Sequence, residues 1–280
     1  MAQETKPKNT SHLSDLLKHG QQIDLFEGAL AIAADRYPNL DTSRYRAEID
    51  SIALKVRESA RCAQGARDTL VAINSVLFDE LRFTGNTGNY FDPRNSYINQ
   101  VLDRRTGIPI SLSVIYIEVA RRAGLLLRGV GMPFHFLVKA FGEGKEIFID
   151  PFNGGALMDA SECESLLASL SGGRFQLLPE HLAEVTTAQI LIRMLANLVS
   201  IYQKRLDYAE ALENIDRILL IDPRSASHIR DRASILVAQG KLGSAVHDYQ
   251  RYLGLAPHAQ DSEAIRKRLK ELRRELAQSN

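Results

Sequence analysis

Apolar residues recur at helical spacing through the first ninety residues. They fall at Leu16, Leu17, Leu25, Leu30, Ile32 and Ala33, with Gly20 as an interruption, which predicts a helix pair or a bent helix over Ser14 to Ala34. Pro38 disfavours helix at Tyr37 and ends this stretch. Thr42 or Ser43 can cap the next helix, whose buried side is marked by Ile49, Ile52, Leu54 and Val56. A further helix is predicted over 68–81, with Leu70, Val71, Ile73, Val76 and Leu77 inward. The pattern breaks at Phe83. From there to Ser111 the chain carries three Gly, two Pro and four Asn, the composition of a long ordered loop, with a short helix near Ser96–Leu102. Segments of this kind can line functional clefts.

The next helix, Ser111 to Ala123, is apolar around most of its circumference and ends at Gly124, so burial is expected on nearly every side. Extended runs follow at Leu126–Met132 and Phe134–Phe141. The latter pairs through Gly142-Glu143-Gly144-Lys145 with Glu146–Asp150 as a hairpin, placing His135 on a strand. Pro151 stops the second strand, and Asn153-Gly154-Gly155 makes a tight turn. The middle region is therefore α+β.

From about Leu191 the chain is helical and self-similar. Pro223 returns as Pro257 and Ala211 as Ala245, each pair 34 residues apart. Small residues let paired helices approach closely, while Tyr202, Ile215, Ile218, Leu236, Tyr249 and Tyr252 fill the space between them. This period resembles tetratricopeptide repeats. Two repeats are too few for an independent array, and a last helix, Ser262–Leu276, caps them with Ile265, Leu269, Leu272 and Leu276 on one face. Its basic outer face reads as a solvated, salt-bridged surface or as a site for an acidic partner or RNA. The expected division is a mobile segment 1–10, a helical plus α+β domain over 11–185 and a repeat domain over 186–280.

Composition narrows the functions. Lys and Arg number 35 against 34 Asp and Glu, a net charge of +1, which disfavours bulk electrostatic binding of nucleic acid. No apolar run reaches the ~20 residues of a membrane helix, and the polar first ten residues do not read as a signal peptide, so a cytoplasmic protein is expected. The histidines show no metal-ligand spacing, and no phosphate loop or other cofactor motif is present. Two cysteines, Cys62 and Cys163, are too few for a disulfide framework.

Chemistry concentrates in the middle region. His135 and Asp150, on partner strands, can meet as an imidazole oriented by a carboxylate. Buried helix, then His, then Asp-Pro resembles the transglutaminase-like branch of the papain-type fold. There the helix begins with Gly-x-Cys, and the cysteine is the nucleophile. Ungapped alignment lays Gly107-Ile108-Pro109 on that motif, so Pro109 stands at the nucleophile position. Over nearly the whole chain, NSYINQVLDRRTGIPISLSVIYIEVARRAGL, MPFHFLVK, FIDPFNGG and the repeats resemble the SirB family, bacterial proteins with a transglutaminase-like core and a repeat tail. The resemblance directs attention to Asn95, Arg105, Pro109, Asn153 and Gly154 as ligand-binding candidates, beside His135, Asp150 and Ser111. Each also has a structural reading: Ser111 as a helix cap, Asn95 and Asn153 as turn formers, Pro109 as an ordinary first helical residue. Two functions follow. One is a pseudoenzyme that binds a protein or peptide partner through core and repeats. The other is a hydrolase or acyl-transfer enzyme in which Ser111 attacks, His135 is the base and Asp150 orients it. A purely structural or regulatory module is the third possibility.

Overall fold

The computed structural model describes residues 11–18, 23–142 and 144–279; the segment 1–10 and Gly20 lie outside them. The N-terminal region folds as α1 (His12–Lys18), α2 (Leu25–Arg36), α3 (Thr42–Ser59) and α4 (Ala66–Asn74). Aspartates cap two of these helices. Asp24 accepts from the N–H groups of Phe26 and Glu27, and Asp41, rather than Thr42 or Ser43, accepts from Ser43 and Arg44. The helix expected over 68–81 leaves α-geometry after Asn74. Residues Ser75–Glu80 form a π-helical turn that closes with the Leu81 N–H on the Val76 carbonyl at 3.0 Å.

The Gly- and Asn-rich loop contains β1 (Thr84–Gly85), α5 (Ile98–Arg104) and β2 (Thr106–Gly107), with β1 and β2 paired in parallel. Helix α6 (Pro109–Ala123) starts two residues before the expected Ser111, because proline is pre-set for the first helical position and lacks the N–H that would go unpaired there. Gly124 closes it in the left-handed conformation at φ 97°. Residues Pro109 to Ala120 are all buried. That includes Glu118, whose carboxylate receives Arg121 at 2.7 and 2.8 Å and Arg122 at 2.6 Å. Arg122 also reaches the Arg46 carbonyl and so fastens α6 to α3.

A five-stranded antiparallel sheet follows, built from β3 (Arg128–Val130), β4 (Leu137–Gly142), β5 (Lys145–Asp150), β6 (Ala156–Met158) and β7 (Glu184–Val185), with α7 (Ala160–Ser171) inserted before β7. Its order is β6-β5-β4-β3-β7. The predicted hairpin is β4–β5, with Val138 opposite Ile149. Both extended runs are shorter than the alternation suggested, and His135 lies in the turn ahead of β4 rather than on a strand. Phe134 there has φ 63°, which no strand residue adopts. Elements β6, α7 and β7 were not anticipated, although Asp159-Ala-Ser-Glu162 spells the capping box that starts α7. The sheet buries Val130, Leu137 and Phe148 against Cys163 and Leu167 of α7.

The chain divides into compact units Met1–Met194 and Leu195–Asn280, a division that falls within α8 (Thr187–Lys204). The second unit continues with α9 (Tyr208–Ile221), α10 (Ala226–Ala238), α11 (Leu242–Leu255) and α12 (Ser262–Ser279). Ala211 and Ala245 are fully buried, as close helix crossings require. Ala233, Tyr249, Leu269 and Leu272 share one cluster with Ala245. Overall, the protein is a helical and α+β unit followed by an all-α repeat region.

One buried relay ties the first unit together. Tyr116 of α6 donates to Asn74 Oδ1 at 2.8 Å, and Asn74 Nδ2 donates to the Gly155 carbonyl at 2.7 Å. A Cβ on Gly155 would lie 2.1 Å from Asn74 Oδ1, and its φ of 75° is itself strained for other residues. Gly155→Ala is therefore expected to cost about 2–4 kcal/mol, and Asn74→Ala, which orphans two buried groups, about 2–3 kcal/mol. Urea unfolding of the full chain measures both.

Candidate functional site

Asp150 ends β5 and caps the turn after it. Its Oδ1 accepts from the N–H groups of Phe152 at 3.0 Å and Asn153 at 3.3 Å, while Oδ2 accepts from Asn153 Nδ2 at 2.7 Å. The same Oδ2 lies 2.9 Å from His135 Nε2. Asn153 thus helps orient the carboxylate, and Gly154 takes the left-handed conformation that completes the turn. The pair is secluded, with His135 5% and Asp150 1% exposed. Burial pushes the Asp150 carboxyl up, yet hydrogen bonds and charge from His135, with the Asn153 contacts, hold it below the usual carboxylate value. An ionised Asp150 accepts from the ring at Nε2 and so fixes the orientation of the imidazole.

The His135 turn is clamped from α8. Arg193 Nη2 donates to the carbonyls of Met132 at 3.0 Å and His135 at 2.6 Å, and its guanidinium lies over the Phe136 ring. Burial lowers the pKa of Arg193 from its ordinary value. Arg193 escaped the sequence reading, since nothing near it in sequence marks it as a partner of residues sixty positions earlier.

The other candidates serve the loop and helix. Ser111 Oγ donates to the Asn95 carbonyl at 2.6 Å and accepts from the Ile108 N–H at 3.1 Å, the backward half of a capping box. Its hydrogen bonds go to the helix start and the loop, and none goes to His135. Asn95 is fully buried. Its Nδ2 donates to the Asn89 and Tyr90 carbonyls, and its Oδ1 accepts from Asn86 and Arg104, so it knits the Gly/Asn loop to α6. Arg105 pairs with Glu48 at 2.7 Å and covers the Phe83 ring. Pro109 is buried at the start of α6, and α6 packs on the Pro151–Asn153 turn. The structure therefore brings His135, Asp150 and Asn153 together and sends Ser111, Asn95 and Arg105 to neighbouring structural tasks.

Neither cysteine takes the nucleophile's place. Cys62 is exposed on the helical N-terminal region, and burial pushes the Cys163 thiol up to about 12, leaving it protonated at neutral pH. Among the described residues no cluster of His, Cys, Asp and Glu could hold a metal ion. Nor, among the described residues, is any helix long and apolar enough to cross a membrane.

An aromatic border surrounds the secluded pair, and the sequence reading missed it. Phe152 meets the His135 ring edge-on at 5.9 Å, Tyr90 meets Phe152 at 6.3 Å, and Phe91 meets Tyr90 at 5.4 Å. Gly85 makes room for Phe152, whose ring would lie 2.6 Å from a Cβ there. Beyond His135, Phe134 and Phe175 form an edge-to-face pair at 5.0 Å while 54% and 51% exposed. The repeat unit has a hollow of about 630 Å³ lined by Asp216, Arg232, Lys241, His247 and Asp248, where Arg232 already pairs with both aspartates.

A helix starting beside a strand-end aspartate and its histidine, on an antiparallel sheet, defines a transglutaminase-like core. Residues 43–196 match the model of the transglutaminase-like superfamily, and residues 198–270 match that of a tetratricopeptide repeat. A UPF0162 protein of Xylella fastidiosa strain Temecula1 is 37% identical over 263 residues, covering 93% of this chain and 94% of its own length. Another from Vibrio cholerae is 31% identical, covering 87% and 90%. The chain belongs to the UPF0162 family within the transglutaminase-like superfamily. Human F-box only protein 21 is also similar, 31% identical over 82% of this chain and 40% of that protein.

Replacing Asp150 with Ala leaves buried His135 without its partner and the Phe152 and Asn153 N–H groups without their acceptor. About 3–5 kcal/mol of stability should be lost, read by urea unfolding at neutral pH. Because the folded carboxyl titrates below the unfolded one, its contribution is full above about pH 4 and disappears as the pH falls through the folded value. The gap between wild type and Asp150→Asn should shrink over that acid range.

Proposed function

We propose that this protein is a non-catalytic protein-binding member of its family, a transglutaminase-like pseudoenzyme whose core and repeats both serve recognition. The observation that carries the reading is Pro109 at the first position of α6. A proline ring offers no nucleophilic atom, while His135 and Asp150 remain paired at 2.9 Å. The pair then acts as a rigid support for the turns that present aromatic side chains. Exposed aromatics in fixed edge-to-face contact are the residues that carry energy in protein interfaces, since they bury large area with little entropy to lose. Phe134 supports this further. Its left-handed backbone is an unfavourable conformation for a bulky residue, and it holds an apolar ring outward in water. The repeat unit contributes a second surface of a type that commonly engages proteins. Membership of the SirB family, carried by the motif run through residues 95–125 and by FIDPFNGG, belongs to the same reading.

The hydrolase alternative needs Ser111 free to attack, and its hydroxyl is held by Asn95 and Ile108. A fluorophosphonate probe is expected to leave the wild-type chain unlabelled, no different from Ser111→Ala. Labelling that vanishes in Ser111→Ala would overturn the proposal. A complementary test restores the thiol. In a Cys62→Ser background, Pro109→Cys should be alkylated by iodoacetamide faster than a free exposed cysteine at neutral pH. Adding His135→Ala should slow it about tenfold or more, as expected when a neighbouring imidazole sets the thiolate fraction.

A further inference from the structure

Helix α12 divides its circumference into three stripes. Ile265, Leu269, Leu272 and Leu276 face inward, with Leu269 and Leu272 buried. A second stripe neutralises itself, Arg268 reaching Glu271 at 3.2 Å and Glu275 at 3.3 Å. The third holds Arg266, Lys270, Arg273 and Arg274, spaced i, i+4, i+7 and i+8 and all exposed. Arg266 pairs with Glu263 and bonds the Pro257 carbonyl, but Lys270, Arg273 and Arg274 make no ion pair among the described residues.

Arg217, Arg230 and Arg232 all pair with carboxylates, Arg230 with Asp231 and Asp261 and Arg232 with Asp216 and Asp248. The Arg232 guanidinium is therefore already matched, whereas α12 keeps like charges at i, i+4 spacing, an arrangement that weakens a helix. The cationic stripe also borders apolar surface. Arg266, Lys270, Arg273 and Arg274 frame a shallow hollow of about 490 Å³ floored by Leu269 and Ala277.

We propose that this stripe of α12 docks an acidic protein segment that carries an apolar side chain among its carboxylates. Guanidinium groups take carboxylates in two-point contact, and the floor at Leu269 and Ala277 receives the apolar group. Charge complementarity selects the occupant. Four cations spread over nine residues, about 12 Å of helix, suit a short peptide better than a nucleic-acid backbone, which this near-neutral chain would hold with few phosphate contacts. The inference rests on the reading of the repeats as a protein-binding surface and specifies where and by what chemistry.

The test uses the full chain and a short fluorescein-labelled peptide of Glu interspersed with Leu, followed by anisotropy. Binding is expected, weakening steadily with added salt. It should fall about tenfold or more in K270E/R273E/R274E, as three attractive contacts become repulsive. The neutral variant K270Q/R273Q/R274Q should show an intermediate loss, and circular dichroism melts should match wild type because the positions are exposed. An all-Glu peptide without Leu should bind more weakly. Absence of binding, indifference to charge reversal, or tighter binding of oligouridine of equal length would overturn the proposal. Failure here with unchanged resistance to fluorophosphonate removes the α12 site alone. Labelling dependent on Ser111 removes the broader reading.

Discussion

A helix that is apolar around almost its whole circumference has no face to give to water, and α6 places that demand at the centre of the first unit. Every element near it is arranged to meet it. Helix α3 covers one side and is fastened by Arg122, which also answers the charge of buried Glu118. Asn74, at the end of α4, accepts the single polar group that α6 carries at Tyr116 and passes the connection on to Gly155. The start of the helix is sealed by Pro109, which has no N–H to satisfy, and by Ser111, which turns back to the Ile108 N–H and out to Asn95. Polar groups along α6 are thus mostly committed to holding the fold, including the hydroxyl that chemistry might have used.

The His135–Asp150 pair has the same double character. Asp150 caps the Pro151–Asn153 turn and orients an imidazole, so removing its carboxylate would disturb a turn as well as a base. The pair therefore carries structural work of its own. Arg193 clamps the His135 turn by its carbonyls, and the turn in turn fixes Phe134 outward in a strained backbone. The Cys163 thiol shows how strongly burial governs reactivity in this core, since its environment keeps it protonated far above neutral pH.

Elements governed by local rules were legible. The 34-residue period, the closing Gly124, the β4–β5 hairpin and the all-round apolar α6 follow from spacing and turn chemistry that act over a few residues. Errors gathered where a distant partner decides. Asn74 gives no local sign of its contacts with Tyr116 and Gly155, and the helix departs from α-geometry directly after it. Alternating Phe134-His135-Phe136 reads as strand, yet the chain turns there. The point within α8 at which the two units part has no local sign, because a helix shows its periodicity without showing which residues pack with which unit.

By itself the sequence determined the 34-residue repeat, the all-round apolar α6 and the β4–β5 hairpin, because each is a property of residue type and local spacing. Only the tertiary structure decided that His135 and Asp150 lie within hydrogen-bond distance, that the Ser111 hydroxyl is already occupied, and that aromatic rings from four separate segments border the pair. Those outcomes depend on residues far apart in the chain meeting in a dry interior, where each buried donor and acceptor must find a partner and sequence spacing no longer says which. The three-striped α12 belongs to both accounts. Its periodicity is written in the sequence, but which of its cations are matched was settled by the neighbours that folding brought to them.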